Sequence, residues 1–212
     1  WTWHRARAAL LHGILKDVRN LNNPKLRNVH QAAAKFDDNT EYLFSFLQVV
    51  TAMLMSFAHG SNDVANAAGP LASIYGIWKS GAVDTSGEVE VPKWILAAAG
   101  GSIVLGLLMY GYRVMRKMGN NITYLTPSRG FSAELASALT VLTCSKIGIP
   151  VSTTQVATGA IAAVGLCNGN IRAVNWKMLG WCFLSWVLTL PIAGLISGLV
   201  FGFGAHAPDQ TI

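Results

Sequence analysis

The chain has 212 residues, of which 52% are hydrophobic and only 12% are charged, with a formal net charge of +6. Residues 1–42 hold 11 of the 26 charged residues, so the rest of the chain is too apolar for an ordinary water-soluble domain. The positive charge does not point to nucleic acid, because seven of the sixteen Lys and Arg residues fall in those first 42 and most others border apolar stretches.

In chain order, residues 1–42 read as the end of a cytoplasmic loop with one or two short surface helices. They carry Arg5, Arg7, Lys16, Arg19, Lys25, Arg27 and Lys35, then the acidic cluster Asp37, Asp38 and Glu41. Ala9, Leu10 and Leu11 with Ile14, Leu15 and Val18 repeat near helical spacing. That pattern suits either an amphipathic helix on lipid headgroups or one packed on the protein's own inner face. Four apolar stretches follow, at about 43–77, 94–112, 130–166 and 178–204. Each reaches or exceeds the ~20 residues needed to cross a bilayer.

Loop 78–93 sets Lys79 and Lys93 against Asp84, Glu88 and Glu90, whereas loop 113–129 has Arg113, Arg116, Lys117 and Arg129 and no acid. The positive-inside rule puts the second loop in the cytoplasm and the first outside. Stretch 94–112 then crosses once, stretch 178–204 crosses outward from the basic loop of Arg172 and Lys177, and the tail 205–212 ends outside. Stretch 130–166 has basic flanks on the same side, so it must enter and return. Its interruption at Gly148-Ile149-Pro150-Val151-Ser152-Thr153-Thr154 predicts a re-entrant helical hairpin. In stretch 43–77 a break is expected at His59-Gly60-Ser61-Asn62-Asp63, followed by Gly69-Pro70, giving one crossing as a broken helix. Irregular backbone at membrane depth is tolerated only where protein or a watery cavity satisfies it, so two breaks mark a buried polar site.

Within the first break, Asn62, Asp63 and Asn66 put an acid and two carboxamides inside an apolar run. On a helix Asn62 and Asn66 share a face at i, i+4, and Asp63 meets Asn66 at i, i+3. Such a face offers oxygens to a hard cation and amide donors to an oxyanion, and an intramembrane acid is by default a functional candidate; the bland alternative is an interhelical polar clamp. In the second break Ser152, Thr153 and Thr154 open a helix after Pro150. Free N–H groups and the positive dipole end there suit an anion, with a plain N-cap as the alternative. Glu134 reads equally as a snorkelling residue or as a polar element facing the cavity. Lys146 is read as an anion counter-charge, a snorkelling residue or a partner of Glu134, and His59 as a packing residue. Cys144, Cys167 and Cys182 lack zinc-site spacing and read as core thiols. An oxyanion near Asp63 would be repelled unless a cation intervened, so each ion would strengthen binding of the other, the linkage on which symport rests. Sodium suits those oxygens, although protonation of Asp63 would relieve the same repulsion.

Three segments carry a resemblance to a known family: Ser56-Phe57-Ala58-His59-Gly60-Ser61-Asn62-Asp63-Val64-Ala65-Asn66-Ala67, Pro127-Ser128-Arg129-Gly130-Phe131-Ser132-Ala133-Glu134-Leu135-Ala136, and Gly148-Ile149-Pro150-Val151-Ser152-Thr153-Thr154-Gln155. From about residue 30 onward the chain resembles the inorganic phosphate transporters of the PiT type, particularly fungal sodium-phosphate symporters. The resemblance implies an all-α polytopic transmembrane protein built from two inverted repeats with broken helices and a re-entrant hairpin. Only one copy of each motif is present, so the chain is similar to the C-terminal half. On this resemblance Ser152, Thr153, Thr154, Asn62 and Asn66 would bind phosphate. Asp63, Asn62 and Asn66 would hold sodium, with no transition metal. Glu134 matches an acidic position that matters for transport. Gln155 stands where animal relatives usually have His, which argues against a proton carried by an imidazole there.

The resulting expectation is sodium-coupled phosphate import across the plasma membrane by alternating access, with no enzyme chemistry and no cofactor. Residues 1–42 would be the loop end, 43–204 the transport domain and 205–212 an extracellular tail. The implied partners are inorganic phosphate, sodium ions, the missing N-terminal repeat and the lipid bilayer, with a homodimer left open and no nucleic acid. The rivals are a proton-coupled or metal-phosphate permease, a non-transporting phosphate sensor or scaffold, and a metal-dependent membrane phosphoryl-transfer enzyme. The last is disfavoured because no second acidic cluster accompanies Asp63.

Overall fold

A computed structural model describes residues 26–82, 90–114 and 121–206, and these form helices joined by short links, without a strand. The elements are α1 (Arg27–Ala32), α2 (Asp38–Ser80), α3 (Lys93–Val114, with a π turn at Leu107–Gly111), α4 (Pro127–Ile147), α5 (Thr153–Leu166), a 3-10 turn (Ile171–Ala173) and α6 (Trp176–Ala205). Three of them, α2, α3 and α6, are long and apolar enough to cross a membrane. Residues 27–174 pack as one unit, and α6 belongs to a second. The amphipathic segment expected near residues 9–18 lies outside the described residues, and so does the end of the tail.

Helix α2 differs most from expectation. It runs unbroken for 43 residues, straight through His59–Asp63 and past Pro70. At 1.5 Å per residue that is about 65 Å, well over a ~30 Å hydrocarbon layer. The backbone stays wound because the local polar side chains bond without displacing it. The Ser56 hydroxyl donates to the Ala52 carbonyl at 2.7 Å and that of Ser61 to Ala58 at 3.0 Å. Gly60 costs a helix only about 1 kcal/mol. The Asp37 side chain caps the start, and Gly81, at φ 68°, ends the helix with its N–H on the Ile77 carbonyl.

The second expected break is present. Helices α4 and α5 form a hairpin whose tip is Gly148–Ser152. Gly148 sits at φ 82°, and the Ile149 N–H reaches the Cys144 carbonyl at 2.9 Å, a helix end that needs glycine's left-handed freedom. Along α2 the fully buried apolar contacts are made by small residues. Ala58 packs on Ala138 and Val141 of α4, while Ala68 and Ala72 pack on Ile95 of α3. Small side chains let helix axes approach closely where lipid removes the hydrophobic drive between helices. The large apolar side chains face outward instead: Phe57 of α2 is 70% exposed, and Leu190 and Phe203 of α6 are 80% and 81% exposed. The cysteines follow the same rule, which corrects the expectation of core thiols: Cys167 is exposed and Cys144 and Cys182 are half-buried. Lipid accepts an apolar thiol as readily as a protein core does.

The base of the hairpin is tied to the chain entering α2. Arg129, only 4% exposed, donates through Nη1 to the Tyr124 carbonyl at 3.0 Å and through Nη2 to the Ala34 carbonyl and to Asn168 Oδ1. Asn168 Oδ1 also accepts the Ala34 N–H, and the Glu41 carboxylate accepts from the N–H and hydroxyl of Ser128 at 2.9 and 2.8 Å, capping α4 from α2. Arg129→Gln removes the fork that spans three segments and is expected to cost about 3 kcal/mol. In detergent-solubilised protein this should appear as a clear fall in melting temperature; an unchanged value would show that the base holds without it.

Candidate functional site

The tip of the hairpin lies against the middle of α2. Asn62, 5% exposed, donates from Nδ2 to the Val151 carbonyl at 2.9 Å and to Asp63 Oδ1 at 3.3 Å, and its Oδ1 accepts from the Ser145 hydroxyl at 3.4 Å. Val151 belongs to the link, where no helical donor serves its carbonyl. A carboxamide is suited to this place because it supplies donors and an acceptor at once.

Around Asn62, α2 supplies the rest, with Asp63 next to it and His59 and Asn66 about one turn before and after. His59 Nδ1 lies 2.8 Å from Thr153 Oγ1 and 3.2 Å from Asp63 Oδ2, while the Thr153 hydroxyl reaches Asp63 Oδ1 at 3.2 Å. Asp63, Asn66, Pro150, Val151, Ser152, Thr153 and Thr154 line a cleft of about 340 Å³. Pro70 lies inside the helix and has no N–H to give the Asn66 carbonyl, so that oxygen keeps free acceptor capacity beside the cleft. On the other wall α5 begins at Thr153. Ser152 is its N-cap, with Oγ accepting the Gln155 N–H at 3.4 Å, which leaves the Ser152 O–H as a donor. One wall therefore offers carboxylate and carbonyl oxygens, and the other offers hydroxyls and a helix N-terminus. The first suits a hard cation and the second an oxyanion.

The structure brings Asp63, Asn66, Ser152, Thr153 and Thr154 to one cleft, as their motifs suggest. It places three other residues differently. Asn62 is absent from the cleft lining, because its amide is engaged in clamping the hairpin tip to α2. Gln155 is exposed, but only its backbone N–H takes part, through the cap. Glu134 lies 14 residues before Gly148, about 20 Å along α4 from the tip. There it accepts from the hydroxyl of Thr51, a residue 2% exposed on α2, at 2.8 Å. Lys146 stands 12 residues after Glu134 on the same helix, about 18 Å away, which excludes their pairing. His59 and Ser145 also reach these groups, beyond the residues that the motifs single out. The i, i+4 spacing of His59 and Asp63 was a signal for the first; Ser145 carries none.

Residues 3–197 match the model of a family described as the phosphate transporter family. The chain is 46% identical over 206 residues to the phosphate-repressible phosphate permease pho-4 of Neurospora crassa, covering 94% of this chain and 35% of that protein. It is 40% identical over 195 residues to sodium-dependent phosphate transporter 1 of Xenopus tropicalis, covering 92% of this chain and 28% of the relative. A solved structure titled "The sodium-dependent phosphate transporter" superposes with a TM-score of 0.65 at 38% identity, covering 78% of this chain and 40% of that one. The chain thus spans about a third of the length of these curated relatives.

If Asn62 holds the tip, Asn62→Ala should raise amide hydrogen exchange at Ile149 and Val156, whose N–H groups are bonded to the Cys144 and Ser152 carbonyls on either side of it, about tenfold or more, since its three hydrogen bonds, worth about 1 kcal/mol each at most, are lost. Unchanged exchange would show that other contacts fix the tip.

Proposed function

The chain belongs to the phosphate transporter family, and from that membership we propose that it forms one repeat of a sodium-coupled symporter that imports inorganic phosphate. The family is one of transporters, and phosphate passes through such a protein chemically unchanged. A second repeat would supply the facing half of the site, and alternating access would expose it to each side in turn. The membrane served is the plasma membrane. The observation that carries this reading is the single cleft in which Asp63 faces the opening turn of α5.

Phosphate would sit against Ser152, Thr153 and Thr154, with Asn66 beside it. Sodium would sit at the Asp63 carboxylate with the Asn66 carbonyl, and Asn62 would hold the two walls together. The energetic reason for coupling is simple. Two like charges about 5 Å apart at an effective dielectric of about 20 repel by about 3 kcal/mol. A cation at Asp63 converts that repulsion into attraction, so phosphate and sodium each tighten the other's binding.

The test is radiolabelled phosphate uptake by cells expressing the full-length transporter that carries this chain, in sodium and then in choline. Uptake should collapse in choline, and Asp63→Asn should abolish sodium-driven uptake while leaving membrane insertion intact. Uptake that persists in choline and follows pH would assign the coupling to protons. Normal uptake by Asp63→Asn would overturn the site.

A further inference from the structure

The three hydroxyls that open α5 are not equivalent. Thr153 is 3% exposed and bonded on two sides, whereas Ser152 and Thr154 are exposed in the cleft. A threonine hydroxyl has one proton and two acceptor lone pairs, and an ionised carboxylate only accepts. At 3.2 Å from Asp63 Oδ1, the Thr153 oxygen needs its proton in that contact, otherwise two acceptors face each other. His59 Nδ1, at 2.8 Å from Thr153 Oγ1 and 3.2 Å from Asp63 Oδ2, must then carry a proton and donate to both. The other tautomer would aim a ring lone pair at a carboxylate and leave the Thr153–Asp63 contact without hydrogen. With Asp63 bare, Thr153 has no proton left for an oxyanion.

We propose that Thr153 is the coupling residue of the site: its proton is held by Asp63 until a cation occupies that carboxylate, and only then turns toward phosphate. This rests on the transport reading above. Ser152 and Thr154 form the standing part of the anion site, free of Asp63. A cation on Asp63 competes for Oδ1, and the rotatable Thr153 hydroxyl can then present its lone pair to the cation and its hydrogen to the cleft. His59 keeps the Thr153 oxygen in place by donating to its remaining lone pair. Three hydroxyls in a row are thus divided between two tasks by burial, with two binding the anion and one reporting the state of the cation site.

The experiment measures phosphate uptake by the full-length transporter across a tenfold range of sodium, with surface expression determined for each variant. Wild type should show a phosphate KM that falls steeply as sodium rises. Thr153→Val, which keeps the shape and removes the hydroxyl, should lower uptake and flatten that dependence to about twofold or less, because the linkage between the two ions is weakened. Thr153→Ser should restore it. Thr154→Val should raise KM at every sodium concentration while keeping the slope. If Thr153→Val fails to reach the membrane, Thr153→Cys, whose thiol is a poor donor, should show an intermediate slope. A Thr153→Val or Thr153→Cys protein with the wild-type slope, a Thr153→Ser protein without it, or a Thr154→Val protein that loses the slope would overturn the assignment while leaving symport standing. Wild type without sodium-dependent uptake would instead overturn the transport reading itself.

Discussion

A helix that stops inside an apolar layer exposes backbone groups that water cannot reach, and each must find a partner in the protein. The Val151 carbonyl, held by the amide of Asn62, is where this constraint bears hardest. Around it the rest of the tip is settled locally: Gly148 and Ile149 return their N–H groups to the last turn of α4, and Ser152 caps α5. The N–H groups of Thr153 and Thr154 open the helix and have no intrahelical acceptor, so they remain as donors at the cleft. The same contact that closes the account of one helix break brings Asp63 to the start of the next helix. Stability and binding geometry therefore share one residue.

Much of this was legible in the sequence because it depended on local rules. Gly148 and Pro150 in an apolar run with Ser and Thr after them announce a break and a cap wherever they occur, and the hairpin was readable to within a few residues. The continuity of α2 was not, because Gly60 and Pro70 are punctuation only when nothing else holds the helix. Whether Asn62 and Asp63 require an unwound backbone depends on what lies opposite, and the opposite wall is 89 residues away in sequence from Asn62. For the same reason the motif revealed that Asn62 mattered without revealing that its amide would be used up in a clamp. Arg129 reads as positive charge of a cytoplasmic loop and as part of the second family motif, neither of which announces its burial; that arises from Ala34 and Asn168, two positions with no pattern of their own.

Burial also has a different meaning here from that in a soluble protein. Among the described residues the buried ones are mostly alanines, a few β-branched residues and polar groups of which most are hydrogen-bonded, while most of the large apolar side chains point outward. When lipid surrounds the chain, apolar bulk gains little from the interior, and close approach is worth more than volume. Gly130 illustrates the closeness: a Cβ there would meet the end of the Gln48 side chain on α2, which would have to move aside. Polar groups fill the interior because lipid excludes them.

Those polar ties occur at three levels along α4. Arg129 and Ser128 bind the base to Ala34 and Glu41, Glu134 accepts from Thr51 farther along, and Asn62 holds the tip. With α4 fastened at its base, middle and tip to the first 25 residues of α2, the cleft's two walls cannot separate without breaking several hydrogen bonds in a low-dielectric setting, where each is hard to replace. Under the proposed transport cycle, access to the site therefore changes by movement of α2 and the hairpin together against other elements, with the cleft carried intact. The Asp63 carboxylate on α2 and the opening turn of α5 would then travel as one body, and the electrostatic coupling proposed between them would persist throughout the movement.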